Sequence, residues 1–301
     1  MRKIFLLFLL TLCLAIGQEA KPKLAYAEFI KDAFGVEVLC KGYSRVISLA
    51  PNLTEIVGYL GKSEVLVGVT DFCDYPPEVK KLPKVGGFIN PSVEAVVALQ
   101  PELVLAYRGN PLPVINKLKE VGITVFVLDS AKSLTELLRQ MEDIAKLLCA
   151  EDDALEKLIG LRRVLEAHRK NLADSHSKPV ILIFTNTNPP FYCAGKNNVH
   201  DSLIAYAGGV NGFPVDGYAQ ISPEAILSAR PDIIIVPKGE GQDSKAIWNR
   251  IKRYPALFAT DAVRNGRVLF FDEDVILRPG PRIFSILPEL SRTLTSLREG
   301  S

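Results

Sequence analysis

The chain has 301 residues, of which 48% are hydrophobic and 23% are charged. This composition is typical of a globular protein with enough apolar side chains for one large core or two smaller ones. The formal net charge is only +2. Because such a balance leaves no strongly basic surface, the composition argues against nucleic acid as a partner.

Residues 1–17 predict a secretory signal peptide. A short basic region precedes the apolar run IFLLFLLTLCLAI, which is too short for a stable membrane span. Small residues up to Gly17 indicate cleavage near that position. Cys13 raises the alternative of a lipoprotein, but Leu12 before it is bulkier than lipid processing prefers. We therefore expect an exported, periplasmic protein without a spanning helix in its mature part.

Four cysteines follow the predicted signal peptide, and an oxidising compartment permits them to form disulfides. Four cysteines allow three pairings, among which the sequence does not choose. Their spacing matches no zinc-binding pattern. These residues are Cys40, Cys73, Cys149 and Cys193.

Residues 18–130 predict a first α/β lobe. Its runs of strand length are RVISLAP, EVLVGVT, ELVLAY and ITVFVLD. Helical segments alternate with them, and two of these end at Gly61 and Gly122, as helices commonly do. A segment rich in Pro and Gly predicts a long loop, DFCDYPPEVKKLPKVGGFINP. The alternation predicts a parallel sheet with helices on both faces.

Residues 131–173 predict a helical connection. No proline occurs between Ser133 and Leu172, and apolar residues recur there at steps of three and four. Ser133 and Glu136 form the pattern of a capping box. A single helix of this length would measure about 60 Å. We therefore expect one long backbone helix, with a break near CAEDDA as the alternative.

Residues 174–301 predict a second α/β lobe that is similar to the first. Ser92 opens the stretch SVEAVVALQPELVLAY, and Ser222 opens SPEAILSARPDIIIVP. The two stretches align without a gap and share a Ser, a Glu, a helical segment, a proline and an apolar strand. This internal repeat predicts two similar lobes related by duplication and joined by the helical connection.

Aromatic and charged residues gather in the loops that follow the predicted strands. Ligands of open parallel sheets bind beyond the carboxyl ends of the strands, and aromatic rings supply stiff contact area there. We therefore predict a cleft between the lobes for a large, flat, partly polar ligand. The alternative is that rings beside prolines only fix their loops. The candidate residues are Phe72, Tyr75, Tyr107, Arg108, Phe191, Tyr192, Tyr218, Asp274 and Arg278.

These segments resemble the helical-backbone (class III) substrate-binding proteins of bacterial ABC importers, and most of all their cobalamin-binding branch. The resemblance covers essentially the whole chain after the predicted signal peptide. It is carried by RVISLAPNLTEIVGYLG, GVTDFCDYPPEV, VEAVVALQPELVLAYRGN, NPPF, AQISPEAILSARPDIIIV and RPGPRI. It implies a monomeric binding protein, not an enzyme, that takes up a corrinoid as its transported ligand and has no resident cofactor.

The resemblance also implies roles for individual residues. Phe72, Tyr107, Phe191 and Tyr218 match positions at which the family places rings against the ligand, and Asp274 and Arg278 match polar contacts. Tyr107 and Tyr218 stand where the cobalamin-binding branch has Trp, which leaves the ligand open. Haem or a ferric siderophore is the alternative within the class. An extracytoplasmic α/β enzyme that acts on a corrinoid is the alternative of another class.

Glu94 and Glu224 occupy the same position in the two repeats. A carboxylate in the first turn of a helix is favoured by the helix dipole, which alone explains either residue. The resemblance adds that such a pair, one per lobe, docks on arginines of a permease dimer. Charge-assisted pairs of this kind would set orientation.

The histidines predict neither catalysis nor a metal site. His168 and His176 are expected to be solvated, and His200 is expected to be a surface or capping group. Trp248 lies outside the loops and is expected to pack. The sequence also contains no phosphate-binding loop, no dinucleotide fingerprint and no nucleophile elbow.

Overall fold

The computed structural model describes residues 28–173 and 178–299. The predicted signal peptide, Cys13 and His176 lie outside the described residues. Within the described part of the chain, no helix combines the length and apolar character needed to cross a membrane.

The first lobe contains a four-stranded parallel sheet in the order β4-β3-β5-β6. A short antiparallel hairpin of β1 and β2 precedes it. The strands are β1 (Phe29–Lys31), β2 (Glu37–Leu39), β3 (Val46–Ser48), β4 (Leu66–Val69), β5 (Leu103–Tyr107) and β6 (Thr124–Leu128). The helices are α1 (Pro51–Tyr59), α2 (Val93–Ala98) and α3 (Leu112–Glu120), with 3-10 turns η1 (Ser63–Val65) and η2 (Pro77–Lys81).

The second lobe contains a four-stranded parallel sheet in the order β12-β11-β7-β9 and a small antiparallel pair of β8 and β10. The strands are β7 (Val180–Ile183), β8 (Tyr192–Ala194), β9 (Val210–Asn211), β10 (Tyr218–Gln220), β11 (Ile233–Lys238) and β12 (Val268–Asp272). The helices are α7 (Val199–Ala207), α8 (Pro223–Ala229), α9 (Ser244–Lys252), α10 (Pro255–Phe258), α11 (Asp261–Arg264), α12 (Glu273–Ile276) and α13 (Ile286–Glu299), with η3 (Pro281–Ser285) as a 3-10 turn.

The two lobes repeat one topology. In each sheet the first strand lies between the second and the third, and the fourth lies at the edge. The repeated stretches also share their local conformation. Ser92 caps α2 by accepting the Ala95 N–H, and Ser222 caps α8 in the same way. Gln100 and Arg230, which precede equivalent prolines, both adopt a left-handed backbone, with φ of 49° and 45°. The predicted fold of two similar α/β lobes with parallel sheets is confirmed.

The connection between the lobes is helical but is divided. It consists of α4 (Leu134–Leu147), α5 (Glu151–His168) and the short α6 (Lys170–Ala173). The break lies at Cys149, whose φ is 47°, within the CAEDDA sequence. Arg162 on α5 donates to the Glu142 carboxylate on α4 at 2.6 Å, which shows that the two helices pack side by side. The structure therefore has two packed helices where the sequence predicted a single helix of about 60 Å. The break given as the alternative is present.

Helix α5 carries the connection from one lobe to the other. Near its start, the Lys157 ammonium donates to the Tyr59 carbonyl of the first lobe at 2.8 Å. Just beyond its end, the Asn171 amide donates to the Tyr206 carbonyl of the second lobe at 2.8 Å. Its 18 residues correspond to a length of about 27 Å.

A single apolar core joins both lobes to these helices. Alternate strand residues face opposite sides, so each sheet is buried on both faces. Leu103 and Ile181, from the two sheets, belong to one cluster together with Leu161 of α5 and Leu290 of α13. The opposite face of each sheet packs into a separate cluster. Because the central cluster spans the lobes, it restrains their relative movement.

All four described cysteines are free thiols. Cys149 is exposed, whereas Cys73 and Cys193 are buried in different lobes. Burial raises the pKa of the Cys40 thiol to about 11, with a further contribution from the Glu28 carboxylate. Burial also raises the pKa of the Cys193 thiol to about 12. None of the three pairings is formed.

We expect the cysteines to differ sharply in reactivity towards a maleimide at neutral pH. The thiolate is the reactive form, so exposed Cys149 should be labelled first, Cys40 slowly, and Cys193 only after denaturation. Peptide mapping by mass spectrometry after timed labelling measures each site. Rapid labelling of Cys193 in the folded protein, or a disulfide-linked peptide, would contradict this arrangement.

Candidate functional site

Exposed apolar side chains form a patch on the first lobe, beyond the carboxyl ends of its strands. Phe72 follows β4 and is 60% exposed, and Ile89 in the neighbouring loop is 76% exposed. The Phe72 ring lies 3.6 Å from the position that a Cβ on Gly87 would take, so the two loops touch. The Phe88 ring lies 6.5 Å from the Tyr107 ring at 55°. Phe72 and Tyr107 are among the residues predicted from the sequence to contact a ligand. Phe88 and Ile89 lie in a loop that the sequence also predicted, but neither was a candidate for ligand contact.

Asn110 holds this patch together. The residue is buried, and its amide donates to the carbonyls of Leu49 and Phe88 at 3.0 and 2.8 Å. Its side-chain oxygen accepts the Tyr107 N–H at 2.7 Å. Three loops at the end of the sheet are thereby fixed to one side chain. Asn110 is not among the residues predicted from the sequence, although an Asn between a strand and Pro111 is a common loop-forming signal.

Tyr107 is half-buried at the end of β5. Burial raises the pKa of its phenol, and hydrogen bonds to Ser130 and to the backbone of Ala131 oppose that shift. The ring therefore presents a neutral, partly exposed face beside the start of the inter-lobe connection.

Tyr218 is the corresponding ring of the second lobe. It lies on β10, is 47% exposed, and meets the His200 ring edge-on at 5.6 Å. Burial raises the pKa of its phenol, to which the Tyr107 hydroxyl across the lobes contributes. Tyr107 and Tyr218, one ring from each lobe, are therefore near enough to interact electrostatically.

His200 is fully buried on α7, 1% exposed, and is not the surface or capping group that the sequence predicted. The cap of this helix is Asn198, whose side-chain oxygen accepts the N–H groups of His200 and Asp201. His200 instead connects Tyr218 to the carbonyl of Ile276. Sequence alone cannot show these contacts, because both partners lie far from His200 along the chain.

Phe191 is placed differently from the sequence-based expectation. Its side chain is 4% exposed and packs in the core of the second lobe. The ring stacks on Phe184 at 5.1 Å and meets Tyr254 edge-on at 4.9 Å. The neighbouring Tyr192 is 44% exposed instead. Neighbouring side chains of an extended segment point to opposite faces. Because Phe191 points into the core just before β8, Tyr192 points outward.

Arg278 and Asp274 form an ion-pair cluster between the lobes. The Arg278 guanidinium donates to the Asp74 carboxylate of the first lobe at 2.8 Å and contacts Asp274 at 2.9 Å. Burial raises the pKa of Asp274, and Arg278 opposes the shift. Both predicted polar residues are thus present together, but Arg278 is already paired with two carboxylates.

Arg282 forms a second link between the lobes. It makes two hydrogen bonds, of 2.8 and 2.6 Å, to the Glu55 carboxylate, which is 2% exposed. Burial raises the pKa of Glu55, and the Arg282 donors oppose that shift. The Tyr75 ring lies against the Arg282 guanidinium at 4.3 Å. Tyr75, predicted to face the ligand, therefore lines a cavity of about 430 Å³ bounded by α1, α5 and η3.

Arg108 is engaged at the edge of the first lobe. Its guanidinium lies 2.5 Å from the Asp129 carboxylate and 5.3 Å from the centre of the Phe34 ring. The predicted packing role of Trp248 is consistent with its position against the core of the second lobe.

Glu94 and Glu224 have equivalent, solvent-exposed environments. The pKa of each carboxyl is lowered first by its own backbone N–H and then by the hydroxyl of the preceding capping serine, Ser92 or Ser222. Both residues therefore stay ionised at neutral pH, one on each lobe.

Residues 46–275 match the model of the periplasmic binding protein family, and the chain belongs to this family. It is 31% identical over 278 residues to YvrC of Bacillus subtilis (strain 168), an uncharacterized ABC transporter substrate-binding lipoprotein, covering 88% of this chain and 84% of that protein. It is also 31% identical over 254 residues to the vitamin B12-binding protein of Photorhabdus laumondii subsp. laumondii, covering 83% and 87%. The periplasmic heme-binding protein RhuT from Roseiflexus sp. RS-1 has a similar structure, with a TM-score of 0.73, 27% identity, and coverage of 84% and 98%.

The chain is therefore a substrate-binding protein of an ABC importer, as the resemblance in its sequence implied. Proteins of this class bind a transported ligand and carry no resident cofactor. Within the described residues, no cluster of three or more His, Cys, Asp or Glu side chains could hold a metal ion.

We expect Glu55→Met to lower the free energy of unfolding by about 3 kcal/mol, because it leaves the Arg282 charge without its partner. The double variant Glu55→Met with Arg282→Met should regain most of this loss. Urea denaturation followed by circular dichroism measures both. Glu120→Gln, which removes an exposed pair with Lys117, should change the value by less than about 1 kcal/mol. If Glu55→Met and Glu120→Gln lowered the free energy of unfolding equally, the structural role of the buried pair would be contradicted.

Proposed function

We propose that this protein captures a corrinoid between its lobes and delivers it to a permease dimer. The observation that carries the proposal is the pair of partly exposed tyrosine rings, Tyr107 and Tyr218, which come one from each lobe and interact electrostatically. Exposed Phe72 extends the aromatic surface on one side. Rings contributed by both lobes suit a broad, flat ligand.

The number of available contacts is adequate for tight binding. A nanomolar complex requires about −12 kcal/mol, and burial of one large aromatic side chain contributes roughly 1.5–3 kcal/mol. Phe72, Tyr107 and Tyr218 supply three rings, and Ile89 adds an exposed apolar side chain. Directed hydrogen bonds to polar groups would supply the remainder.

Haem is the second candidate. It is supported by the likeness to a heme-binding protein of known structure, whereas the corrinoid is supported by the relative named as a vitamin B12-binding protein. Both ligands are flat macrocycles, so shape alone does not distinguish them.

Only limited closure of the lobes is expected on binding. The pairs Arg278–Asp74 and Arg282–Glu55 bridge the lobes, and the central apolar cluster is shared between them. Opening the lobes widely would separate the buried Glu55 carboxylate from Arg282 and expose that core, both of which cost free energy. A receptor with flexible hinge strands lacks these restraints.

We expect the protein to retain one equivalent of cobalamin after incubation and desalting, measured by its visible spectrum. Incubations with haemin and with a ferric siderophore run in parallel. Phe72→Ala should weaken binding about tenfold to a hundredfold, because a ring contact is lost, whereas the exposed Phe258→Ala in α10 should not. Retention of haemin alone would indicate haem as the transported ligand. Turnover of the corrinoid would support an enzyme instead.

The two exposed glutamates form the proposed docking pair. Glu94 and Glu224 lie at corresponding positions in the duplicated lobes, and both stay ionised. A permease built from two like subunits would meet one carboxylate with each half. Arginines on the permease would pair with these carboxylates and set the orientation of the complex.

We expect Glu94→Ala with Glu224→Ala to leave ligand affinity unchanged but to abolish stimulation of the ATPase of the cognate importer in lipid nanodiscs. The control variant, Glu120→Ala with Glu299→Ala, also removes one exposed carboxylate from each lobe and should retain stimulation. Unchanged stimulation by the first variant, or a loss of ligand affinity, would contradict docking through this pair.

A further inference from the structure

The buried His200 side chain is held on both ring nitrogens. Its Nε2 lies 2.5 Å from the Ile276 carbonyl oxygen, and its Nδ1 lies 3.0 Å from the Tyr218 hydroxyl. Both contacts join separate elements, since Tyr218 is on β10 and Ile276 ends α12. His200 therefore occupies a fixed position between the candidate ligand loop and the ion-pair cluster.

The protonation of His200 follows from these partners. A carbonyl oxygen can only accept a hydrogen bond, so Nε2 must carry the proton that it donates to Ile276. Burial lowers the pKa of the imidazole, and the Ile276 carbonyl opposes the shift only in part. The ring is therefore neutral, and Nδ1 has a lone pair that accepts a hydrogen bond.

The hydrogen-bonding capacity of Tyr218 is fixed in turn. The phenol has one O–H, and burial raises its pKa so that it stays protonated. That O–H donates to Nδ1 of His200. Within residues 28–173 and 178–299, the hydroxyl has no other hydrogen-bond partner. Its oxygen can therefore offer a ligand acceptor lone pairs and no donor.

The nearby arginines, Arg278 and Arg282, also give no advantage to a ligand that carries carboxylates. The Arg278 guanidinium is shared by two carboxylates, Asp74 and Asp274. The Arg282 guanidinium is occupied by Glu55. Arg278 with its two carboxylates thus carries one net negative charge, and Arg282 with Glu55 carries none. Neither group offers an unneutralised cation to an anionic ligand.

We propose that His200 is a specificity-determining residue that makes Tyr218 an acceptor, so that the site selects macrocycles whose edge groups are primary amides over those whose edge groups are carboxylates. This inference rests on the proposed function. An amide N–H can donate to Tyr218, whereas an ionised carboxylate presents only oxygen lone pairs to it. Among macrocycles, this separates the amide-bearing corrinoids from carboxylate-bearing haem.

The test compares matched ligands that share one ring. The first pair is cobinamide and its derivative with peripheral amides hydrolysed to carboxylates, and the second is haemin and its diamide. Calorimetry at neutral pH should give at least about tenfold tighter binding of the amide form. Tyr218→Phe, which keeps the ring and removes the hydroxyl, should reduce this ratio about tenfold. Tyr254→Phe, in the core of the same lobe, should leave it unchanged.

A second measurement needs no ligand. In protein labelled with nitrogen-15 histidine, His200 should show a protonated Nε2 and an unprotonated Nδ1 at neutral pH, because burial lowers the pKa of the ring. Comparison with His200→Gln assigns the resonances.

The outcomes are distinguishable. Tight binding with a ratio that is unaffected by Tyr218→Phe, or an Nδ1-protonated ring, would overturn the role of His200 and leave the proposed function intact. Binding of neither macrocycle would overturn both.

Discussion

The constraint on which the structure depends is the shared attachment of both lobes to one apolar core. Helices α4 and α5 pack between the lobes, and the inner faces of both sheets bury their side chains against the same cluster. The Glu55–Arg282 pair adds a directional link at its edge. Because separating the lobes would expose this core and an ion pair, the relative movement of their loops is restrained. Restraining the loops in this way would reduce the cost of ordering a site around a ligand.

The loops themselves are positioned by buried polar side chains. Asn110 fixes the backbone beside Tyr107 in the first lobe, and His200 fixes the Tyr218 ring in the second. Buried polar groups are costly without partners, so each of them restricts the conformation of its neighbours. The rings proposed to contact the ligand thus depend on buried polar residues.

The sequence predicted the fold well because its evidence is local and repeated. Apolar runs alternate with capped helical segments, and the repeated stretch predicts the same helix and strand in each lobe. In the structure, the residues before Pro101 and Pro231 both adopt a left-handed backbone. The site was predicted less completely. Phe191 and Phe72 both lie in predicted loops that contain paired prolines, yet one ring is buried and the other is 60% exposed. Nothing in the two local sequences separates these outcomes.

By itself, the sequence determined two parallel α/β lobes, a helical connection, loops rich in rings, and a carboxylate at equivalent helix starts. These features follow from periodicity, capping and turn chemistry within a few residues of each position. Only the tertiary structure decided that Arg278 is shared by Asp74 and Asp274, that Arg282 is held by Glu55, and that His200 is buried beside Tyr218. Each of these contacts joins residues that are distant along the chain, so they are set by the packing of the lobes rather than by local pattern.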